Sequence, residues 1–139
     1  MTADDLARRC AERMYADDLA SQALGIVISD VGPGRAVASM VVRDDMVNGH
    51  GICHGGYLFT LADTAFAFAC NTYDEVTVAA GADITFLRPV HAGARLTATA
   101  VELSRVGRSG LYDVTVRADD GEPVAEFRGR SRSLGRPVL

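Results

Sequence analysis

No stretch of the 139-residue sequence approaches the ~20 consecutive apolar residues that a membrane-spanning helix needs. No secretory leader is expected either, since Met1 is followed by polar and acidic residues (Thr2, Asp4, Asp5) with no apolar segment behind them. Cysteine is scarce. Cys10, Cys53 and Cys70 are too few to form a disulfide framework and suit a reducing compartment. Basic charge is also short, with 14 Lys and Arg against 18 Asp and Glu, and the net of −4 is the wrong sign for binding a phosphate backbone. No internal repeat and no low-complexity tract is present. These absences lead to the expectation of a soluble, cytoplasmic protein with neither nucleic acid nor membrane as partner.

What is present is an ordinary globular composition, 48% hydrophobic, in a length that fits one domain over residues 1–139. A domain this small buries a modest share of its surface, so self-association is expected from the outset. Acids crowd the N-terminal segment (Asp4, Asp5, Glu12, Asp17, Asp18), and arginines crowd the end (Arg128, Arg130, Arg132, Arg136).

Thr2 and Asp5 read as a capping box that starts a helix over about 3–20, with Leu6, Cys10 and Met14 as a thin apolar stripe. Apolar residues alternate from Leu24 through Ile26 and Ile28, then Gly32-Pro33-Gly34 turns the chain into a return strand, Ala36 to Val42. A second helix spans about 55–73 and is apolar all round (Phe59, Leu61, Phe66, Phe68, Cys70), which requires enclosure by protein. Alternation then resumes in four strands, marked by Ile84 and Phe86, by Leu96, Ala98 and Ala100, by Tyr112, Val114 and Val116, and by Ala125 and Phe127 up to about Ser133. Strand–helix alternation is lacking, so a doubly wound parallel sheet is not expected. The expected class is α+β: an antiparallel sheet of about six strands wrapped around one long central helix, plus an N-terminal helix.

The chemistry concentrates between Asn48 and Asp63. Gly55 and Gly56 open the central helix, where unpaired backbone N–H groups and the helix dipole favour developing negative charge and glycine admits a ligand to the backbone. Such a turn can polarise a carbonyl and hold the oxyanion formed on attack. Asp63 is the one charged residue between Gly55 and Cys70; its helical neighbours are Phe59, Thr60, Phe66 and Ala67. A carboxylate in that setting is either paired, with Arg88 as a candidate, or a base or nucleophile tuned by burial. Cys53 beside His54 is a weaker nucleophile candidate, because sequence neighbours rarely point at one another. Zinc would draw on His50, Cys53, His54 and Cys70, but Cys70 lies roughly four turns along the helix and the spacing matches no common zinc motif. Neither metal nor cofactor is expected.

Asp63 lies eight residues beyond Gly55, about 12 Å along the axis. A base must reach its water within about 3 Å, so one helix cannot easily supply oxyanion donor and base to the same carbonyl. The expectation is a homodimer whose active sites are shared across a two-fold. Arg105 and Arg108 flank a hairpin and suit a phosphorylated ligand, as do Arg128 and Arg130 on one face of the last strand; the alternative for each is a solvated face.

The stretch VNGHGICHGGYLFTLADTAFAFACN, Val47 to Asn71, resembles the signature of hotdog-fold acyl-CoA thioesterases, and most closely the phenylacetic acid degradation (PaaI) type. ITFLRP (Ile84–Pro89), GLYDVTV (Gly110–Val116) and FRGRSR (Phe127–Arg132) agree with it. The resemblance implies hydrolysis of aryl- or acyl-CoA, with phenylacetyl-CoA and hydroxyphenylacetyl-CoA as substrates. It implies Asp63 as base or nucleophile, the Gly55 N–H on the thioester carbonyl, Asn48 orienting water or carbonyl, and His54 before the glycine. Gly56, Phe59, Arg88, Arg105 and Arg108 are the expected substrate contacts, and dimers are expected to pair into a homotetramer. One departure stands out: Val78-Ala79-Ala80 offers no hydroxyl where some relatives place one near the attacking water. Two other uses remain open at this point, a hydratase or dehydratase and a non-enzymatic acyl-CoA sensor. The first needs a histidine–acid pair; the second would keep its ligand when Asp63 is replaced.

Overall fold

The computed structural model describes residues 1–139 and consists of helix α1 (Ala3–Asp17), helix α2 (Leu19–Ala23), strands β1 (Val27–Gly32) and β2 (Arg35–Val41), a short 3-10 turn (Asp44–Met46), helix α3 (Gly55–Cys70) and strands β3 (Thr77–Phe86), β4 (Arg95–Val106), β5 (Ser109–Arg117) and β6 (Pro123–Ser133). The six strands form one antiparallel sheet in the order β1-β2-β4-β5-β6-β3. No helix is long and apolar enough to cross a membrane.

The expected capping box is formed: Thr2 Oγ1 accepts from Asp5 N–H (3.0 Å) and Asp5 Oδ2 from Thr2 N–H (3.1 Å). The helix expected over about 3–20 stops earlier, at Asp17. Asp18 leaves helical geometry and uses its carboxylate as N-cap of α2, accepting from Ser21 N–H (3.0 Å). The first strand starts at Val27 and not Leu24, because Gly25 takes φ +71° and Ile26 N–H is spent on Ser21 O. The central helix ends at Cys70, short of Tyr73. Asn71 stops it: its Nδ2 donates to Ala67 O and to Thr77 O, and its Oδ1 accepts from Thr77 N–H, tying the helix end to the start of β3.

Small residues bring α3 close to the sheet. Ala36 and Ala38 on β2 face it beside their β4 partners Ala100 and Ala98, all fully buried. On β6 a Cβ at Gly129 would sit 2.7 Å from the Phe66 ring, so glycine is what lets that ring lie on the strand. Phe66, Leu61 and Phe68 of α3 then fill the concave face with Met40, Leu96, Val114 and Phe127. Truncating a buried aromatic at such a position costs about 3–5 kcal/mol.

Enclosure of α3 is incomplete, which the all-round apolar pattern did not lead one to expect. Gly56 is exposed, and Thr60, Asp63 and Ala67 are only half-buried, while Leu58, Leu61, Ala62, Ala65 and Phe66 are buried. The spacing of four, three and four residues puts the open positions on one face. Strand β3 is similarly bare: its outer edge has no partner, Val78, Ala79 and Ala80 are exposed, and its register with β6 skips at Ala80.

Candidate active site

The loop before α3 folds back on itself. Asn48 N–H donates to Ile52 O (2.8 Å), and Gly51 N–H donates to Asn48 O (3.0 Å). The Asn48 side chain completes the closure, its Oδ1 accepting from the N–H groups of His50 (2.9 Å) and Ile52 (3.4 Å). That occupies the amide oxygen and leaves Nδ2 as the end available to a ligand. Asn48 can therefore serve a carbonyl or a water as a donor.

His54 is the N-cap of α3, with Nδ1 accepting from Gly56 N–H at 2.9 Å. A neutral imidazole accepting at Nδ1 carries its proton on Nε2. A Cβ at Gly56 would lie 3.0 Å from Nδ1, so the cap needs glycine there. The Gly56 N–H is spent on this bond, whereas the Gly55 N–H, at the first helical position, donates to no protein acceptor. The two-glycine donor pair expected from sequence thus reduces to one free donor, Gly55, backed by the helix dipole. Replacement of His54 by Ala should lower stability by about 1 kcal/mol through loss of the cap, and His54→Asn, which keeps a capping acceptor, should recover most of it in thermal unfolding.

Cys53 is buried, and burial pushes its thiol above the usual range, the reverse of what a thiolate nucleophile needs. Burial drives Cys70 up to about 12. No three His, Cys, Asp or Glu side chains converge to hold a metal ion.

Asp63 lies halfway along α3. Burial is the whole cause of its carboxyl being pushed above the ordinary aspartate value, with no cation and no hydrogen bond lowering it. Arg88 does not neutralise it: Nη2 donates to Asp120 Oδ1 (2.7 Å) and to Glu122 O (3.2 Å), in the β5–β6 turn. Asp63 and Gly55 share one uninterrupted helix, so the separation of about 12 Å stands.

The hairpin arginines line a cavity of about 250 Å³ where β4, β5 and β6 run past the C-terminal end of α3. Arg105 stacks on Tyr73, 3.5 Å from the ring centroid, and Tyr73 and Tyr112 both donate to Glu102 Oε1 at 3.0 Å. Ser131 also lines this cavity; it is 5% exposed, and its hydroxyl has no partner in the chain. By contrast Arg128 and Arg130 are matched to Asp113 (2.7 Å) and Asp83 (2.8 Å) across the outer sheet face. A larger groove of about 580 Å³ between α1 and β1 contains none of the candidate site residues.

Phe59 is partly core, its ring edge-on to Phe127 at 5.4 Å. Sequence reasoning passed over Phe86, the last residue of β3, whose ring lies against Gly55. Alternation with Ile84 marks it as inward-facing, but nothing local says what it meets. Ser131 was missed for the same reason.

A family model described as the thioesterase superfamily matches residues 50–125. The acyl-coenzyme A thioesterase PaaI of Escherichia coli (strain K12) is 46% identical over 128 residues, 92% of this chain and 91% of that protein. The structure of the E. coli PaaI protein from the phenylacetic acid degradation operon superimposes with a TM-score of 0.96 at 43% identity, covering 98% of this chain and 99% of that one. A mutant of the phenylacetic acid degradation protein PaaI from Thermus thermophilus matches at 41% identity with a TM-score of 0.79, over 82% of this chain and 97% of that one. With its sheet curled around α3 and its Asn48, Gly55 and Asp63 arranged as described, the chain belongs to the thioesterase superfamily and has the hotdog fold.

Proposed function

We propose that this thioesterase hydrolyses aryl- and acyl-CoA thioesters, foremost phenylacetyl-CoA or hydroxyphenylacetyl-CoA, to the free acid and CoA in aromatic degradation. One observation carries the reading: a half-buried carboxylate without a partner, Asp63, on the open face of α3, eight residues from the free Gly55 N–H. The thioester carbonyl oxygen accepts from Gly55 N–H, with Asn48 Nδ2 as a second donor to the carbonyl or to the water. Asp63 takes a proton from the water, whose oxygen bonds to the carbonyl carbon. The negative charge gathers on the oxygen facing Gly55, the C–S bond breaks, and the proton passes to the departing thiolate. Thr77, the hydroxyl nearest that strand position, donates to Glu75 O (3.0 Å) and so can meet a water only as an acceptor.

The same reading makes the site a product of two chains. The bare, small-residue edge of β3 suits pairing with a second β3 about a two-fold, which would run the two α3 helices antiparallel and set Asp63 of one subunit toward Gly55 of the other. Pairing of such dimers into a homotetramer belongs to this proposal. So does a cytoplasmic setting, in keeping with three buried, unpaired thiols. A hydratase is disfavoured because no acidic side chain pairs with the loop histidines; the side-chain bond of His54 is to Gly56 N–H.

The chain has no lysine, so recognition of CoA phosphates falls to arginine. Arg105 and Arg108 are the contacts in this reading, and Arg88 supports the site through its tie to the β5–β6 turn. Arg105→Ala or Arg108→Ala should raise KM for phenylacetyl-CoA about ten-fold each with little change in kcat, measured by thiol release. The proposal as a whole is tested by the same assay over phenylacetyl-, hydroxyphenylacetyl-, benzoyl- and straight-chain acyl-CoAs. Absence of thiol release from all of them would sink it, and a flat profile would remove the aromatic assignment.

A further inference from the structure

The free Gly55 N–H at the head of α3 has a neighbour that the reaction as described does not use. A Cβ built on Gly55 would stand 2.8 Å from Phe86 Cζ and 3.3 Å from Cε1 and Cε2, so the tip of the ring points at the Gly55 α-carbon. Phe86 closes β3 opposite the buried Ala125 of β6, on the same inward face as Ile84 opposite Phe127. An inward aromatic in that position would ordinarily be covered, yet Phe86 is 52% exposed within the chain. Its backbone leaves little freedom: Leu87 N–H donates to Val124 O (2.9 Å), and a few residues later Cys53 N–H donates to Val90 O (2.8 Å), binding this segment to the loop that precedes α3. Arg88, tied to Asp120, anchors it from the other side. The ring is thus a rigidly mounted, half-open apolar wall beside the atom that receives the carbonyl.

A thioester whose carbonyl oxygen sits on the Gly55 N–H has its first acyl carbons within a few ångströms of that wall. We infer that Phe86 is a specificity-determining residue, whose ring packs against the acyl group next to the carbonyl and favours aryl over short alkyl chains. The inference rests on the thioesterase reading given above. Edge-to-face contact with a phenyl group and exclusion of water from the donor both act on a phenylacetyl group and have little to act on in an acetyl group.

Wild type, Phe86→Leu and Phe86→Ala should be compared by thiol release with phenylacetyl-, butanoyl- and acetyl-CoA, alongside thermal unfolding. Leucine keeps apolar bulk and removes the ring; being half exposed, the position should tolerate it, so this variant carries the test if alanine unfolds. The expected result for Phe86→Ala is a loss of about ten-fold in kcat/KM for phenylacetyl-CoA with acetyl-CoA held within about three-fold. For Phe86→Leu, butanoyl-CoA should keep its rate while the phenyl preference shrinks. An equal loss on all three substrates, or an unchanged ratio, overturns the inference, since a ring that only braces the loop would affect every acyl group alike. Wild-type protein that releases no thiol from any substrate would instead overturn the thioesterase reading itself.

Discussion

Replacing Asp63 by Asn should lower kcat for thioester hydrolysis at least about a hundred-fold, the scale of a lost general base, while making the folded protein more stable at neutral pH. The two effects share one cause. Burial on an apolar helix raises the carboxyl pKa, so the ionised form that can accept a proton from water is also the form that the fold disfavours. The sign of the stability change follows from linkage. A carboxyl whose folded-state pKa exceeds its unfolded value contributes stability that is complete below the unfolded pKa and is lost as pH rises through the folded one. As pH rises through the folded-state pKa the wild type loses that contribution, and Asn, which never ionises, does not. Melting curves of the two proteins should therefore differ most at neutral pH and converge in acid, near and below the ordinary aspartate value of 3.8. The wild-type kcat/KM profile should show its acid limb above 3.8, because Asp63 must be ionised to act. A variant that is inactive and also less stable at neutral pH would mean that Asp63 is held by a partner group, not by burial alone.

Mixing two inactive variants should restore activity. Gly55→Pro deletes the free N–H at the first helical position, where proline is accommodated and where the preceding residue, His54, already has the extended conformation that a proline requires (φ −61°, ψ 133°). The proline Cβ would stand 2.8 Å from Phe86 Cζ, so the Phe86 ring must shift in this variant, within a half-site already disabled by loss of the N–H. Asp63→Asn keeps Gly55 and loses the base. If each site takes Gly55 from one subunit and Asp63 from the other, random re-pairing in equal amounts makes half the dimers mixed, each with one intact site of two. About a quarter of the wild-type rate per chain should then return, against a background near zero for either variant alone. No recovery after verified subunit exchange would place base and donor in one chain and remove the shared site.

Individual elements show how much could be read in advance. Helix α3 was legible from a long apolar run behind a glycine start, and the four strands after it from their two-residue alternation, both of them local signals. The end of α1 was not, since Asp18 acts as a cap only by turning its carboxylate onto Ser21 N–H, a bond that competes with continuing the helix. The end of α3 at Cys70 was hidden similarly: Asn71 stops the helix by bonding to Thr77, and that strand's position is a tertiary fact. Within the site, Asp63 stood out as a lone charge in an apolar helix. The division of labour between the two glycines did not, because it depends on which N–H the His54 ring takes.

The order of amino acids by itself determined the apolar run of the central helix, the alternation of the strands, the glycine turn at the head of that helix, and the eight-residue gap between Gly55 and Asp63. Those features come from covalent spacing and helical geometry, which need no knowledge of what lies opposite. Tertiary structure alone decided that β3 crosses to the far edge of the sheet, that α3 keeps one face open along Thr60, Asp63 and Ala67, that Arg88 turns to Asp120, and that Phe86 comes to rest on Gly55. Each of these joins residues far apart in the chain, and such contacts are set by packing and by competition for partners across the whole molecule.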